Sequence, residues 1–201
     1  LNGYYDAGNQ LAEHIKGRII QATAQEGLIK EGLKSVEEFE ARRRRVKEAF
    51  LRALGGLPDG THPLRARVTG VVERPHFRIE KVIFESLPGF PVTSNLYLPK
   101  DLDSPRPAVL FLCGHSREAK GYPVYQRVCQ ALVRAGFVVL AMDPLGQGER
   151  MQYVDPQTGQ LVVNWGTTEH SHAGLQCTLT GANIARYFVH DAVRAVDYLC
   201  T

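Results

Sequence analysis

A chain of 201 residues can bury the core of one ordinary domain, and a content of 44% hydrophobic and 22% charged residues is that of a globular protein. The formal net charge of +3 is too small to argue for a nucleic-acid partner. No apolar run approaches the ~20 residues that a bilayer-spanning helix needs. Cys113, Cys129, Cys177 and Cys200 are scattered without CxxC spacing, so they read as isolated buried thiols, neither a disulfide framework nor a metal site. The first residue is Leu1 rather than Met, as after removal of a leader or tag, and the compartment stays open.

Residues 1–60 read as a helical segment. Leu11, Ile15, Ile19 and Ala22 share one face of a first helix, interrupted by Gly17. A second helix opens on the capping box Ser35-Val36-Glu37-Glu38, carries Val36, Phe39, Val46, Phe50, Ala53 and Leu57 on its apolar face, and stops at Gly55-Gly56. Glu38 and Glu40 stand four residues before Arg42 and Arg44. The run Arg42–Arg45 therefore reads as a solvated helix face held by ion pairs, not as a nucleic-acid patch.

Residues 61–201 read as a second domain. Alternating strands are expected over Arg65–Val72, Phe77–Phe84 and Pro91–Leu98, the last two joined by a turn at Pro88-Gly89. Ala108–Cys113 and Phe137–Met142 are continuous apolar runs, the pattern of strands buried on both faces. Tyr125, Val128, Leu132 and Val133 between them keep helical spacing, and Gly136 ends that helix, so the three form a βαβ unit. Met151–Cys177 reads as a long irregular stretch, with a turn at Asp155–Gly159 between two short strands. About Gly181–Cys200 is a helix with Ile184, Phe188, Ala192, Ala195, Val196 and Leu199 as its buried stripe.

Each strand of the βαβ unit ends in a polar, Gly-bearing loop: Cys113-Gly114-His115-Ser116 and Asp143-Pro144-Leu145-Gly146-Gln147-Gly148-Glu149-Arg150. Such carboxyl-end loops are where open α/β sheets bind ligands. Gly146-Gln147-Gly148 lacks the third glycine of a dinucleotide loop, so no cofactor is expected. His170-Ser171-His172 has metal-ligand spacing for a strand, but no further His/Asp cluster stands beside it and no metal is expected.

These two loops, Gly166-Thr167-Thr168-Glu169-His170, and the helix through Ala185-Arg186-Tyr187 to Asp197-Tyr198-Leu199 together resemble the α/β-hydrolases of the acetylxylan-esterase and dienelactone-hydrolase-like branch, over roughly Phe77–Thr201. The resemblance implies an α/β fold: a partial α/β-hydrolase with a mixed, mostly parallel sheet and helices on both faces, preceded by the N-terminal helical segment. It implies a serine ester hydrolase acting on carbohydrate (acetylxylan-type) or small-acyl esters. The backbone N–H of His115 would serve the oxyanion hole, although Cys113 stands where the branch usually has His. Ser116, Gln147, Glu149, Arg150, Trp165 and His170 would face the substrate.

No Gly-x-Ser-x-Gly elbow occurs in the chain, so the nucleophile, its His and its acid are expected outside these residues. In this fold the strand Ala108–Cys113 would otherwise be an uncovered apolar edge. The rest of the sheet is therefore an expected partner, as later residues or as a second polypeptide, and a homo-oligomer stays open. The chain alone would then be inactive. The alternative reading is a non-catalytic α/β-hydrolase-like domain that binds a ligand through the same loops.

Overall fold

The computed structural model describes residues 3, 7–102 and 104–201. The chain divides into two compact units, Leu1–Phe50 and Leu51–Thr201.

The first unit is a pair of helices, α1 (Gln10–Glu31) and most of α2 (Val36–Leu54). The expected cap forms at the start of α2. Ser35 Oγ accepts the Glu38 N–H at 3.2 Å, and Glu38 Oε2 reaches back to the Lys34 N–H at 2.7 Å. The ion pairs differ from those expected. Glu26 of α1 accepts from both Arg42 and Arg45 at 2.8 Å, and Glu40 pairs with Arg43 at 3.3 Å. A partner across the two-helix hairpin outcompetes the i,i+4 partner because one carboxylate there meets two guanidiniums. The apolar stripe is nonetheless exposed: Leu11, Ile15, Ile19, Val36, Phe39, Val46 and Phe50 all lie on the surface.

The second unit is built on one five-stranded sheet of order β1-β2-β3-β5-β4: β1 (Arg67–Glu73), β2 (Phe77–Leu87), β3 (Phe90–Pro99), β4 (Ala108–Leu112) and β5 (Val138–Met142). Pro88-Gly89 makes the tight β2–β3 turn, with Gly89 at a φ of 71° that L side chains rarely adopt. The sheet is mixed, as expected, but the balance is reversed. β1/β2, β2/β3 and β3/β5 are antiparallel, and only β4/β5 is parallel. The reason is that a parallel pair needs a long crossover, and the helical connection from β4 to β5 is the one such unit among the described residues.

Helices lie on both faces. α3 (Pro123–Arg134) packs Cys129 and Val133 on Phe77, Tyr97, Val139 and Ala141. α5 (Ala185–Leu199) covers the other face, where Val82, Phe84, Val92, Leu96, Leu140 and Met142 meet Ala195, Tyr198 and Leu199. The buried face of α5 is more polar than the apolar period predicts. His190, Asp191 and Arg194 are buried with Ala195, whereas Val196 is exposed. Most of their polar atoms are matched, with Asp191 Oδ1 and Arg194 Nε left without a partner among the described residues. His190 Nε2 donates to Ser86 O at 2.9 Å, and Arg194 bonds Gly60 O and, at 2.7 Å, His62 O. They tie the chain entering the sheet, and the end of β2, to α5.

β4 is the terminal strand of the sheet, and its Leu112 is exposed. Phe84 is fully buried at the centre of the α5-side core, stacked on Tyr198 at 5.9 Å. Phe84→Ala is expected to cost about 3–5 kcal/mol in urea denaturation, against less than about 0.5 kcal/mol for Val162→Ala on the surface.

Candidate active site

β4 and β5 run parallel, so their carboxyl-end loops meet at one edge of the sheet. The β5 loop is organised by Asp143, which is completely buried. Its carboxylate accepts from Thr93 Oγ1 of β3 at 2.7 Å, from the Glu149 N–H at 3.2 Å, from the Lys120 N–H at 3.1 Å and from Lys120 Nζ. Lys120 also holds Glu149 at 2.6 Å. A buried carboxylate is tolerable only when its charge is neutralised and its lone pairs are filled, and both conditions hold here. Gly148 turns over this carboxylate with φ 60°, and a Cβ there would sit 2.5 Å from Asp143 Cγ and Oδ1. The position therefore needs glycine.

Gln147 couples this loop to the β4 loop. It is buried, and its amide NH2 donates to Gly114 O at 2.9 Å and to Ser116 O at 2.6 Å. Gly114 and His115 are thereby held beside a cavity of about 210 Å³ lined by Leu112, Cys113, His115, Met142, Pro144, Gln147, His170 and Phe188. Met151–Cys177, expected to be irregular apart from two short strands, folds at its end into α4 (Thr167–Thr178), entered through Gly166 at φ 65°. Its sequence has no apolar period, so the helix is invisible to pattern reading. The expected short pairing survives as a single Val154–Leu161 bridge around the Asp155–Gly159 turn.

α4 carries His170 back to the site. His170 Nε2 lies 2.7 Å from Leu145 O, an obligate acceptor, so that nitrogen bears the proton and Nδ1 is left to accept. His115 Nε2 stands 3.3 Å from that Nδ1 and donates to it. Phe188 of α5 packs edge-on against the same imidazole at 5.0 Å. Burial first, and then the neighbouring His115, hold the His170 pKa below the usual histidine range, against the pull of Leu145 O. Cys113 lines the cavity as a thiol whose pKa burial and the Asp143 charge push up to about 12.

His115, expected as the oxyanion donor, lines this cavity, and so do Gln147 and His170 of the residues expected to face substrate. Ser116 is buried, with its hydroxyl given to Glu118 at 2.7 Å. Glu149 is held by Lys120. Arg150 is buried, donating to Asp143 O at 3.0 Å and to Asp191 of α5 at 2.7 Å, with its guanidinium over the Phe90 ring. Trp165 is half-buried just before α4. His170 and His172 are two residues apart on a helix rather than a strand, and His172 turns to Tyr153 instead. Cys113, Met142, Pro144 and Phe188 were not read from the sequence as pocket residues. Cys113 was legible, since it closes the β4 run. Phe188 was not, because it comes from a helix assigned wholly to packing.

No protein-family model matches the chain. No curated protein matches it either. Among solved structures the chain is similar to a Bacteroides fragilis protein assigned as an acetyl xylan esterase, with a TM-score of 0.64 and 18% identity over 82% of this chain. It is also similar to acetyl xylan esterase 1 of a Thermoanaerobacterium species, with a TM-score of 0.54 and 21% identity over 76% of this chain. The chain spans 44% of the length of each. The fold of this chain is thus that of the corresponding part of these acetyl xylan esterase structures.

Two outcomes follow from this geometry. Gly148→Ala is expected to destabilise by about 2–4 kcal/mol, read by urea denaturation, because a Cβ meets the buried carboxylate in a backbone conformation that already disfavours L residues. For His170 the native pKa lies below the unfolded value of ~6.5, so the unfolded state binds more protons as pH falls through that range. Stability should therefore decline from pH 7 to pH 5, and His170→Asn should flatten that decline in melts recorded across the interval.

Proposed function

We propose that this chain forms the oxyanion side and the acyl pocket of a serine ester hydrolase that acts on acetylated carbohydrate or other small-acyl esters. The observation that carries the reading is the cavity at the ends of β4 and β5, walled by the Cys113–His115 loop in a fold shared with acetyl xylan esterases. At about 210 Å³ it lies below the ~300 Å³ floor of ordinary ligand sites, which suits an acetyl or similar short acyl group and disfavours a long chain.

The chemistry follows from these positions. A serine supplied from beyond these residues attacks the ester carbonyl, and negative charge develops on the carbonyl oxygen. The His115 backbone N–H donates to that oxygen; a fixed donor of this kind stabilises the tetrahedral state without reorganising. A histidine, also outside these residues, takes the serine proton, hands it to the leaving alcohol and then activates water against the acyl-enzyme. Gln147 keeps the Gly114 and Ser116 carbonyls turned away from the forming oxyanion, since both are occupied by its amide. Cys113 contributes apolar wall rather than a nucleophile, because its thiolate is negligible at neutral pH. The free edge of β4 is where the strand bearing the serine would pair, consistent with the chain spanning 44% of the similar structures.

A fluorophosphonate probe and p-nitrophenyl acetate, applied to the full-length protein, test this. Hydrolysis is expected, with the labelled peptide outside these 201 residues. Labelling at Ser116, or hydrolysis lost on alkylating Cys113 with no serine labelled, would overturn it. At pH 8 iodoacetamide should modify the exposed Cys200 well before Cys113, as read by peptide mass spectrometry.

A further inference from the structure

A second cavity, of about 370 Å³, shares His170 with the smaller one as a lining residue. It falls inside the ~300–1,000 Å³ range of small-molecule sites, unlike its neighbour. Three half-buried aromatic side chains wall it: Phe90 at the start of β3, Tyr153 in the loop before α4, and Tyr187 on α5. Phe90 and Tyr187 stand 6.2 Å apart with their planes tilted by 45°. Gln152 and Gln176 add amide groups, and the Tyr153 hydroxyl donates to Gln176 Oε1 at 2.7 Å, keeping its own lone pairs for another donor.

The lining includes no lysine or arginine, which argues against a phosphate or carboxylate ligand. Its one carboxyl, Glu169, is buried. Oε1 accepts the Gln152 N–H at 3.1 Å, and Oε2 has no partner among the described residues. Burial pushes this carboxyl above the usual range, toward its neutral form. Aromatic faces combined with neutral amide, hydroxyl and carboxyl groups suit a molecule with one apolar face and a rim of hydroxyls.

We propose that this cavity is a subsite for an unesterified neutral sugar unit next to the esterified one, with His170 as the shared wall that sets the spacing between them. The inference rests on the carbohydrate-ester reading, and it makes the site one for an oligosaccharide rather than for an isolated acetylated sugar. The His170 ring is locked by Leu145 O, His115 and Phe188, so the two cavities keep a fixed register.

Calorimetric titration of the full-length protein with xylotriose tests the subsite, because this ligand carries no ester. Saturable binding is expected, weakened about tenfold by Tyr187→Ala and by Gln176→Leu, and unchanged by Val71→Ala on the exposed terminal strand β1. Gln176 is exposed, so its variant should fold even if removing Tyr187 from Phe90 disturbs packing. Absent saturation, or wild-type affinity in a folded Gln176→Leu, would overturn the subsite. So would binding of tetramethylammonium in place of xylotriose, which would make the cavity a cation cage around Glu169. An enzyme that hydrolyses p-nitrophenyl acetate yet ignores xylotriose would refute the subsite and leave the esterase reading standing. Xylotriose binding without hydrolysis would do the reverse.

Discussion

The carboxylate of Asp143 is the interaction on which the site depends. It sits at the end of β5 with no access to water, and it is made tolerable by four donors drawn from β3, the segment before α3 and its own loop. Each donor is also a restraint. Thr93 fixes the carboxylate against the neighbouring strand, and Lys120 draws the β4–α3 connection onto β5. The Glu149 N–H curls the loop so that Gly148 passes directly above. Removing the charge would release three segments at once, so one ionic centre does what three separate packing contacts would otherwise have to do.

From that centre, order passes outward through hydrogen bonds rather than through apolar contact. The curled loop presents Gln147, whose amide captures two carbonyls of the β4 loop. Arg150 leaves the same loop for Asp191, anchoring it to α5. Gly146 accepts the Gly166 N–H at 2.9 Å, which sets the start of α4 and hence the place of His170. The result is a small apolar cavity whose walls come from four different elements, each positioned by a polar partner behind it. A preorganised site of this kind spends little on reorganisation when charge develops within it.

The apolar surface has a complementary logic. Among the described residues β4 ends the sheet, with no strand on its outer side and Leu112 exposed beside the cavity. The smaller cavity therefore borders an edge able to accept another strand, while the aromatic cavity that shares His170 is lined from β3, α4, α5 and the loops before α4. This asymmetry separates the two cavities in place: Leu112 of the terminal strand lines one, and no residue of β4 lines the other.

Much of this was legible in the chain. Alternation over Phe77–Leu98 and the unbroken apolar runs at Ala108 and Phe137 determined strands, because side-chain periodicity reports burial directly. Gly and polar residues at the ends of those runs marked the edge expected to bind a ligand, and the Cys113–Ser116 and Asp143–Arg150 loops do meet there, beside the smaller cavity. What the chain could not reveal was partnership. Gln147, Glu149 and Arg150 look alike as polar loop residues, yet one bridges two loops, one is exposed with its carboxylate on the buried Lys120, and one is buried against Asp191. The helix α4 and the polar buried face of α5 were hidden for the same reason. Their stability comes from long-range hydrogen bonds, such as His190 to Ser86 across 104 positions, that leave no local period. Strand identity is a local property of sequence; which buried charge meets which, and so which side chains reach the cavity, was decided only when the chain closed on itself.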